Sequence, residues 1–303
     1  MTMNYDNNVK NFRGHGQKSS SLTALVLLAI MAAFLFYAAW NDSATMDEAP
    51  HITSGYSYVL KKDMRLNPEH PPLVKVLAGI PLLFLKNVNF PENHPGWREG
   101  INEQWWFGFD FLYRSGNDAE KIVHASRISA IFLTLVLGWF IWIWGKELLG
   151  PQWGLLPLTL FAFSPNFVGH GHLVTTDIGA SLGVIISLYF FTKYLKQPTR
   201  KNLTCAGISL GIGLLLKFTV VFIVPVIIFM GILYALLSGR LRAVLSMAGK
   251  LALIGVVAAL VILLLYIYVV WNYPPERQFR DANFNLTSYG FRPAVNFNLW
   301  LIK

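Results

Sequence analysis

Ten residues of this chain are of the right type to do chemistry together: Asp47, Glu48, His51, His70, Lys75, Arg127, His170, His172, Asp177 and Lys217. The tightest group is Asp47-Glu48-Ala-Pro-His51. On a helix, Asp47 and His51 stand four residues apart and share a face. A carboxylate placed there could accept the proton of a hydroxyl during group transfer, as a kinase aspartate does. The same residues also read as a helix start, with Asp47 as N-cap and Pro50 in the first turn. The two readings can coexist.

His70-Pro71-Pro72-Leu73-Val74-Lys75 opens a second helix, since proline suits a first turn. Lys75 could face a phosphate, or run its apolar stem along the surface. Gly169-His170-Gly171-His172 leads into Thr175-Thr176-Asp177. A His-x-His pair is a weak metal pattern, so a divalent metal stays open, no cofactor is certain and no metal ligands are assigned. Asp177 could complement a helix N-terminus. Arg127 and Lys217 could snorkel to a membrane interface or balance a phosphate charge.

The elements that must hold these groups are membrane spans. Of 303 residues, 54% are hydrophobic and 14% charged, against about 25% charged in an average soluble domain. The apolar residues gather into runs near bilayer length, which excludes an ordinary soluble enzyme and a disordered chain. A single cysteine, Cys205, excludes a disulfide framework and a multi-thiolate zinc site. The fold expected is an all-α polytopic membrane protein with about seven transmembrane helices: Leu22–Trp40, Ile128–Trp144, Gly154–Val168, Ile178–Leu195, Leu203–Leu216, Val220–Leu237 and Leu251–Val270. The third and fifth are short. One 35-residue helix through Lys217 competes with separate fifth and sixth spans. The first span has an apolar core longer than a signal peptide's and reads as an uncleaved anchor.

Charge sets the expected orientation. With the N-terminus in the cytosol, the cytosolic segments carry eleven Lys and Arg, from Lys10 to Lys250, against Asp6 and Glu147. The short loop at 169–176 carries neither Lys nor Arg. This is the positive-inside pattern. It accounts for the net charge of +9, so nucleic acid is not needed to explain it. The expected organisation is a cytosolic segment at 1–21, a membrane module at 22–271 with a large outer loop at 41–121, and an outer tail at 272–303. In the loop, Met46–Lys62 has helical character. Pro71–Leu85 is apolar but too short to span, so it reads as interfacial or re-entrant. Trp97, Trp105 and Trp106 suit headgroup depth. All ten residues then lie at the outer side. Ionisable groups near membrane depth are costly and mark function by default, and an outward-facing group-transfer enzyme needs a donor delivered through the bilayer.

Asp47-Glu48, then Arg65-Leu-Asn-Pro-Glu-His70-Pro-Pro-Leu, resembles the first-loop signature of the GT-C membrane glycosyltransferases, nearest the bacterial branch of the protein O-mannosyltransferases. Phe111-Leu-Tyr-Arg-Ser-Gly-Asn-Asp-Ala-Glu, Ala125-Ser-Arg127, Ser164-Pro-Asn-Phe-Val-Gly-His170-Gly-His-Leu-Val-Thr-Thr-Asp177 and Gly211-Ile-Gly-Leu-Leu-Leu-Lys217-Phe-Thr extend the likeness from about Leu22 to Trp271. The resemblance implies inverting transfer of a sugar from a polyprenyl-phosphate carrier to a hydroxyl acceptor (protein Ser/Thr, lipid or glycan) at the outer face of the cell membrane. It implies Asp47 as base, with Glu48 beside it, and Asp177 as a second acidic position. Arg127 matches a basic position thought to meet the carrier phosphate. His70-Pro-Pro stands where aminoarabinose-transferring relatives have Lys-Pro-Pro. Lys75, Lys217 and His70 are further candidates for the donor phosphate. His51, His170 and His172 are candidate site contacts, though a His170/His172 pair is not part of the family pattern. The chain stops in the apolar stretch Asn298–Lys303, where relatives usually continue, which leaves open a fragment of a longer protein with acceptor recognition in the remainder.

The chemistry agrees with that mechanism. Glycosyl transfer passes through an oxocarbenium-like state, and one carboxylate can activate the nucleophile opposite the leaving group. A departing phosphate needs cations more than an acid. A transporter or flippase of a polar or lipid-linked substrate is the alternative, but transporters place their charges at mid-membrane between repeats, and here the charges gather at one face. An inactive assembly subunit is a third reading, against which Asp47 and Asp177 are both present.

Overall fold

The computed structural model describes residues 3–237 and 241–288, with side chains over 19–237 and 241–287. The regular elements among them are helices: α1 (Met3–Asn41), α2 (Glu48–Leu60), α3 (Leu73–Gly79), α4 (Pro95–Arg98), α5 (Gln104–Tyr113), α6 (Ala119–Leu149), α7 (Leu155–Ala162), α8 (Pro165–Gly171), α9 (Asp177–Lys196), α10 (Arg200–Leu216), α11 (Ile223–Leu236), α12 (Leu241–Val269) and α13 (Pro275–Ser288). Short 3₁₀ turns follow α3 at Ile80–Phe84 and precede α11 at Phe218–Phe222. The chain is an all-helical polytopic membrane protein.

Five stretches are long and apolar enough to cross a bilayer: Ser19–Asn41, Ala119–Leu149, Asp177–Lys196, Phe218–Leu236 and Leu241–Val269. The two short expected spans differ from these. α10 has 17 residues, about 25 Å at 1.5 Å per residue and a little short of a hydrocarbon core of about 30 Å. The expected third span, Gly154–Val168, is broken. Ser164 is extended (φ −71°, ψ 122°) and Pro165 begins a new helix, because a residue before proline is pushed out of the helical region. The single long helix through Lys217 does not form either. Lys217 is extended (φ −157°, ψ 140°) and separates α10 from the turn before α11. The apolar stretch Asn298–Lys303 and Arg240 lie outside the described residues.

The chain divides into two compact units. One contains the chain up to Ser43 and Ala130–Ala258; the other contains Ala44–Ser129 and the chain from Ala259. In the first unit small residues let helices touch. A Cβ on Gly183 of α9 would come within 2.9 Å of Gly213 Cα on α10, and a Cβ on Gly207 would collide with Val257 of α12. Such close approach is how helices associate in lipid, where there is no hydrophobic drive between them. Gly171 of α8 sits against Thr134 and Leu35, and Thr134 Oγ1 donates to its carbonyl at 2.7 Å.

In the second unit α2 is the axis. It is buried along nearly its whole length. α3 crosses it backbone to backbone: a Cβ on Gly55 would lie 1.9 Å from the Lys75 carbonyl oxygen, and one on Gly79 would lie 2.3 Å from Gly55. Gly108 of α5 meets Ala49 and Pro50 in the same manner. Tyr56, Phe90, Phe107 and Phe111 form an aromatic cluster beside α2. Trp97, expected at headgroup depth, is 8% exposed in that cluster, edge-on to Phe90, with the Arg65 guanidinium 4.2 Å above its ring. Trp105 and Trp106 are the exposed ones.

Candidate active site

Asp47 holds the N-cap position of α2 but makes no capping bond with its side chain, and its backbone is already helical (φ −72°, ψ −22°). It is exposed. The capping role that composition allows is therefore not what its carboxylate does. Glu48, the next residue, is fully buried. One of its oxygens accepts from Arg127 Nε at 2.9 Å and the other from Arg127 Nη2 at 2.7 Å. The second oxygen also accepts from Thr45 N at 2.9 Å. Arg127, near the start of α6, is likewise fully buried. The fork of a guanidinium matches a carboxylate at two points, so α6 and the first turn of α2 are locked at the residue after Asp47.

One turn further, His51 is 6% exposed and its ring stands edge-on to that of His70 at 5.5 Å. His51 N donates to Asp47 O at 3.3 Å. Lys75 is fully buried beneath the loop that carries His70. Its amine donates to Asn67 O, Asn67 Oδ1 and His70 O at 2.7, 3.1 and 2.8 Å. Burial pushes its pKa well below the ordinary lysine value, with the charge of Glu69 opposing. The second unit thus brings Asp47, Glu48, His51, His70, Lys75 and Arg127 into one connected group.

The other four candidates lie in the first unit. Asp177 starts α9, is mostly exposed, and accepts from Lys217 Nζ at 2.6 Å; Lys217 is 22% exposed. The extended backbone at Lys217 places this cation at the break between α10 and α11. His172 is fully buried. Its Nδ1 donates to Val168 O at 3.2 Å, and its Nε2 lies 3.0 Å from an Asp42 carboxylate oxygen without hydrogen-bond alignment. His170 is exposed near the end of α8, so the two histidines face different surroundings. Among the described residues no three His, Cys, Asp or Glu side chains could together hold a metal ion.

Sequence reasoning passed over Asn67, Tyr58, Thr45 and Asp42. Asn67 carries no signal of its own, since its carbonyl and that of His70 need a donor only as any buried carbonyl does. Asp42, which closes on His172, carries none.

Helices long and apolar enough to cross a bilayer make this a multi-pass membrane protein. The chain belongs to the dolichyl-phosphate-mannose-protein mannosyltransferase family, whose match covers residues 120–271, half of its length. That family is GT-C-like and makes the protein a membrane glycosyltransferase that uses a lipid-linked sugar donor. Comparison with curated proteins and with solved structures gives no match. The matched region contains Arg127, His170, His172, Asp177 and Lys217, and begins after Asp47, Glu48, His51, His70 and Lys75.

Proposed function

We propose that this protein is an inverting glycosyltransferase, of the bacterial branch near the protein O-mannosyltransferases, that moves a sugar from a polyprenyl-phosphate carrier to a hydroxyl acceptor at the outer face of the cell membrane. A mannose-like hexose is the donor sugar, and a protein Ser or Thr, a lipid or a glycan the acceptor. The observation that carries the reading is Asp47: an exposed carboxylate, free of a capping role, at the end of a helix anchored by the buried pair of the next residue.

In this mechanism Asp47 takes the proton of the acceptor hydroxyl as its oxygen bonds to the anomeric carbon. The bond from that carbon to the phosphate oxygen breaks on the opposite face, and the carrier leaves as its phosphate. A departing phosphate needs a cation, and Lys217, which donates to Asp177, is the candidate that the first unit offers. The Glu48–Arg127 pair and the His51–His70 contact orient the base.

Detergent-purified protein, a polyprenyl-phosphate sugar and a hydroxyl acceptor test this. The expected product has its anomeric configuration inverted and depends on Asp47. Retention of configuration, or transport of the donor without transfer, overturns it. Orientation is read by cysteine labelling in a Cys205→Ser background. Asn117→Cys reacts from outside and Arg242→Cys from inside if the active site faces outward.

A further inference from the structure

Asn67-Pro68 and His70-Pro71 put two X-Pro bonds in one short loop. Proline has no N–H, so the carbonyls of Asn67 and His70 belong to peptide groups with an acceptor and no donor. Both carbonyls accept from the Lys75 amine, and the Asn67 side chain adds a third acceptor. That accounts for all three hydrogens of an ammonium. Tyr58 on α2, also fully buried, donates to Asn67 O at 2.6 Å, and its ring lies 5.2 Å from the Lys75 nitrogen. All three acceptors of Lys75 are neutral. An apolar side chain of similar length would fill the space and remove the cost of burying a charge, at the expense of stranding the His70 carbonyl and Asn67 Oδ1, so the two effects oppose one another in stability. The loop it holds carries His70, whose ring meets His51, one turn along from Asp47.

We propose that Lys75 is a positioning residue for sugar transfer: its protonated amine donates to the carbonyls of Asn67 and His70 and so holds His70 against His51 beside Asp47. The proposal rests on the reading of Asp47 as the base. It requires the charged form, since a neutral amine has only two hydrogens for three acceptors. The groups around Lys75 are Tyr58 from α2, Glu69 and His70 from the loop, and His51 behind His70; the 3₁₀ turn Ile80–Phe84 has none. Burial, with Tyr266, Asp63 and Tyr273 beside it, pushes the Tyr58 hydroxyl up, whereas burial brings the Lys75 amine down. The alkaline limb of transfer is therefore that of Lys75.

Three measurements test this: transfer against pH, thermal melting in the same buffers, and hydrogen exchange of segment 65–72. In the wild type, turnover is expected to fall as pH rises, well before the ordinary lysine range. Melting temperature should rise over that same interval, because the unfolded chain keeps a proton that the folded chain has released. Turnover and melting temperature falling together would overturn the proposal, since loss of structure would then explain the limb. Lys75→Met should melt near the wild-type temperature, because relief of the buried charge offsets the acceptors it strands. Its kcat should be down ~10-fold or more with donor KM little changed, and it should show no alkaline limb. Wild-type turnover in Lys75→Met, or a retained limb, would also overturn it. Hydrogen exchange needs no donor. It should be faster in segment 65–72 of Lys75→Met, and unchanged exchange sinks the proposal even if no donor supports transfer. A chain with that faster exchange but no Asp47-dependent transfer would instead refute the proposed function.

Discussion

Arg127 grips both oxygens of Glu48 across 79 residues of sequence, and neither residue is exposed. An arginine held in this way has its fork occupied by protein. Arg127→Ala leaves a buried carboxylate without its cation, a loss of about 3–5 kcal/mol, and its melting temperature should fall accordingly. Arg127→Lys keeps the charge but not the two-point geometry. We expect lower turnover in Arg127→Lys with donor KM nearly unchanged, measured by donor saturation in detergent. A rise in KM alone would instead show that Arg127 touches the carrier phosphate.

Asp47→Asn separates base from cap. Asparagine caps about as well as aspartate, and the Asp47 side chain makes no capping bond here. Melting should therefore be unchanged. Loss of the proton acceptor should lower transfer ~10²-fold or more. Wild-type turnover in Asp47→Asn would move the base elsewhere, with Asp177 the first residue to examine.

The residues of α2 were legible because the signal is local. Asp47, Pro50 and His51 lie within one and a half turns, and helix geometry alone puts them together. The long apolar runs were legible for the same reason. The break at Ser164–Pro165 was written in the sequence too, but hydropathy averages over it, whereas the restriction that proline places on its predecessor acts at one residue. Arg127 and Lys75 differ in kind. Composition marks both as cations near apolar segments, where snorkelling or phosphate binding are the natural expectations. Their partners, a glutamate 79 residues away and two loop carbonyls, follow from packing that no periodicity encodes. Trp97 looks like an interfacial tryptophan until Phe90 and Phe107 close around it.

Lys217 and Asp177 make the more accessible pair, with Asp177 62% exposed. An exposed ion pair contributes about 0–1 kcal/mol, so Lys217→Gln should leave melting almost unaltered. If Lys217 meets the leaving phosphate, the same change should lower kcat ~10²-fold, the order found when one donor to a developing anion is removed. Asp177→Asn, which frees the lysine, should tighten donor binding or leave it unchanged. Equal kinetics for wild type and Lys217→Gln would assign the pair to the membrane interface alone.

The helix after the last span is fastened to the segment around Glu99, and one aspartate organises the fastening. Asp281 is 5% exposed. It accepts from Tyr273 Oη at 2.6 Å and from Arg280 Nε at 2.8 Å, and Arg277 Nε lies 3.4 Å away. The two arginines then donate onward to main-chain carbonyls, Arg277 to Arg98 O and to Gly100 O at 2.8 Å, and Arg280 to Glu99 O at 3.1 Å. Burial first, and the neighbouring Asp281 second, raise the Tyr273 hydroxyl well above its ordinary pKa. For a group raised by folding, the stabilisation is complete below the unfolded value and is lost as pH climbs through the folded one. The fastening should thus persist past the pH at which an exposed tyrosine ionises. Asp281→Asn keeps the shape but loses the charge that aligns both guanidinium groups, at a cost of about 1–3 kcal/mol. Hydrogen exchange at residues 98–102 should accelerate in Asp281→Asn, and Tyr273→Phe should show a smaller increase. Exchange in that segment identical to wild type for both variants would mean that α13 is held by something other than this cluster.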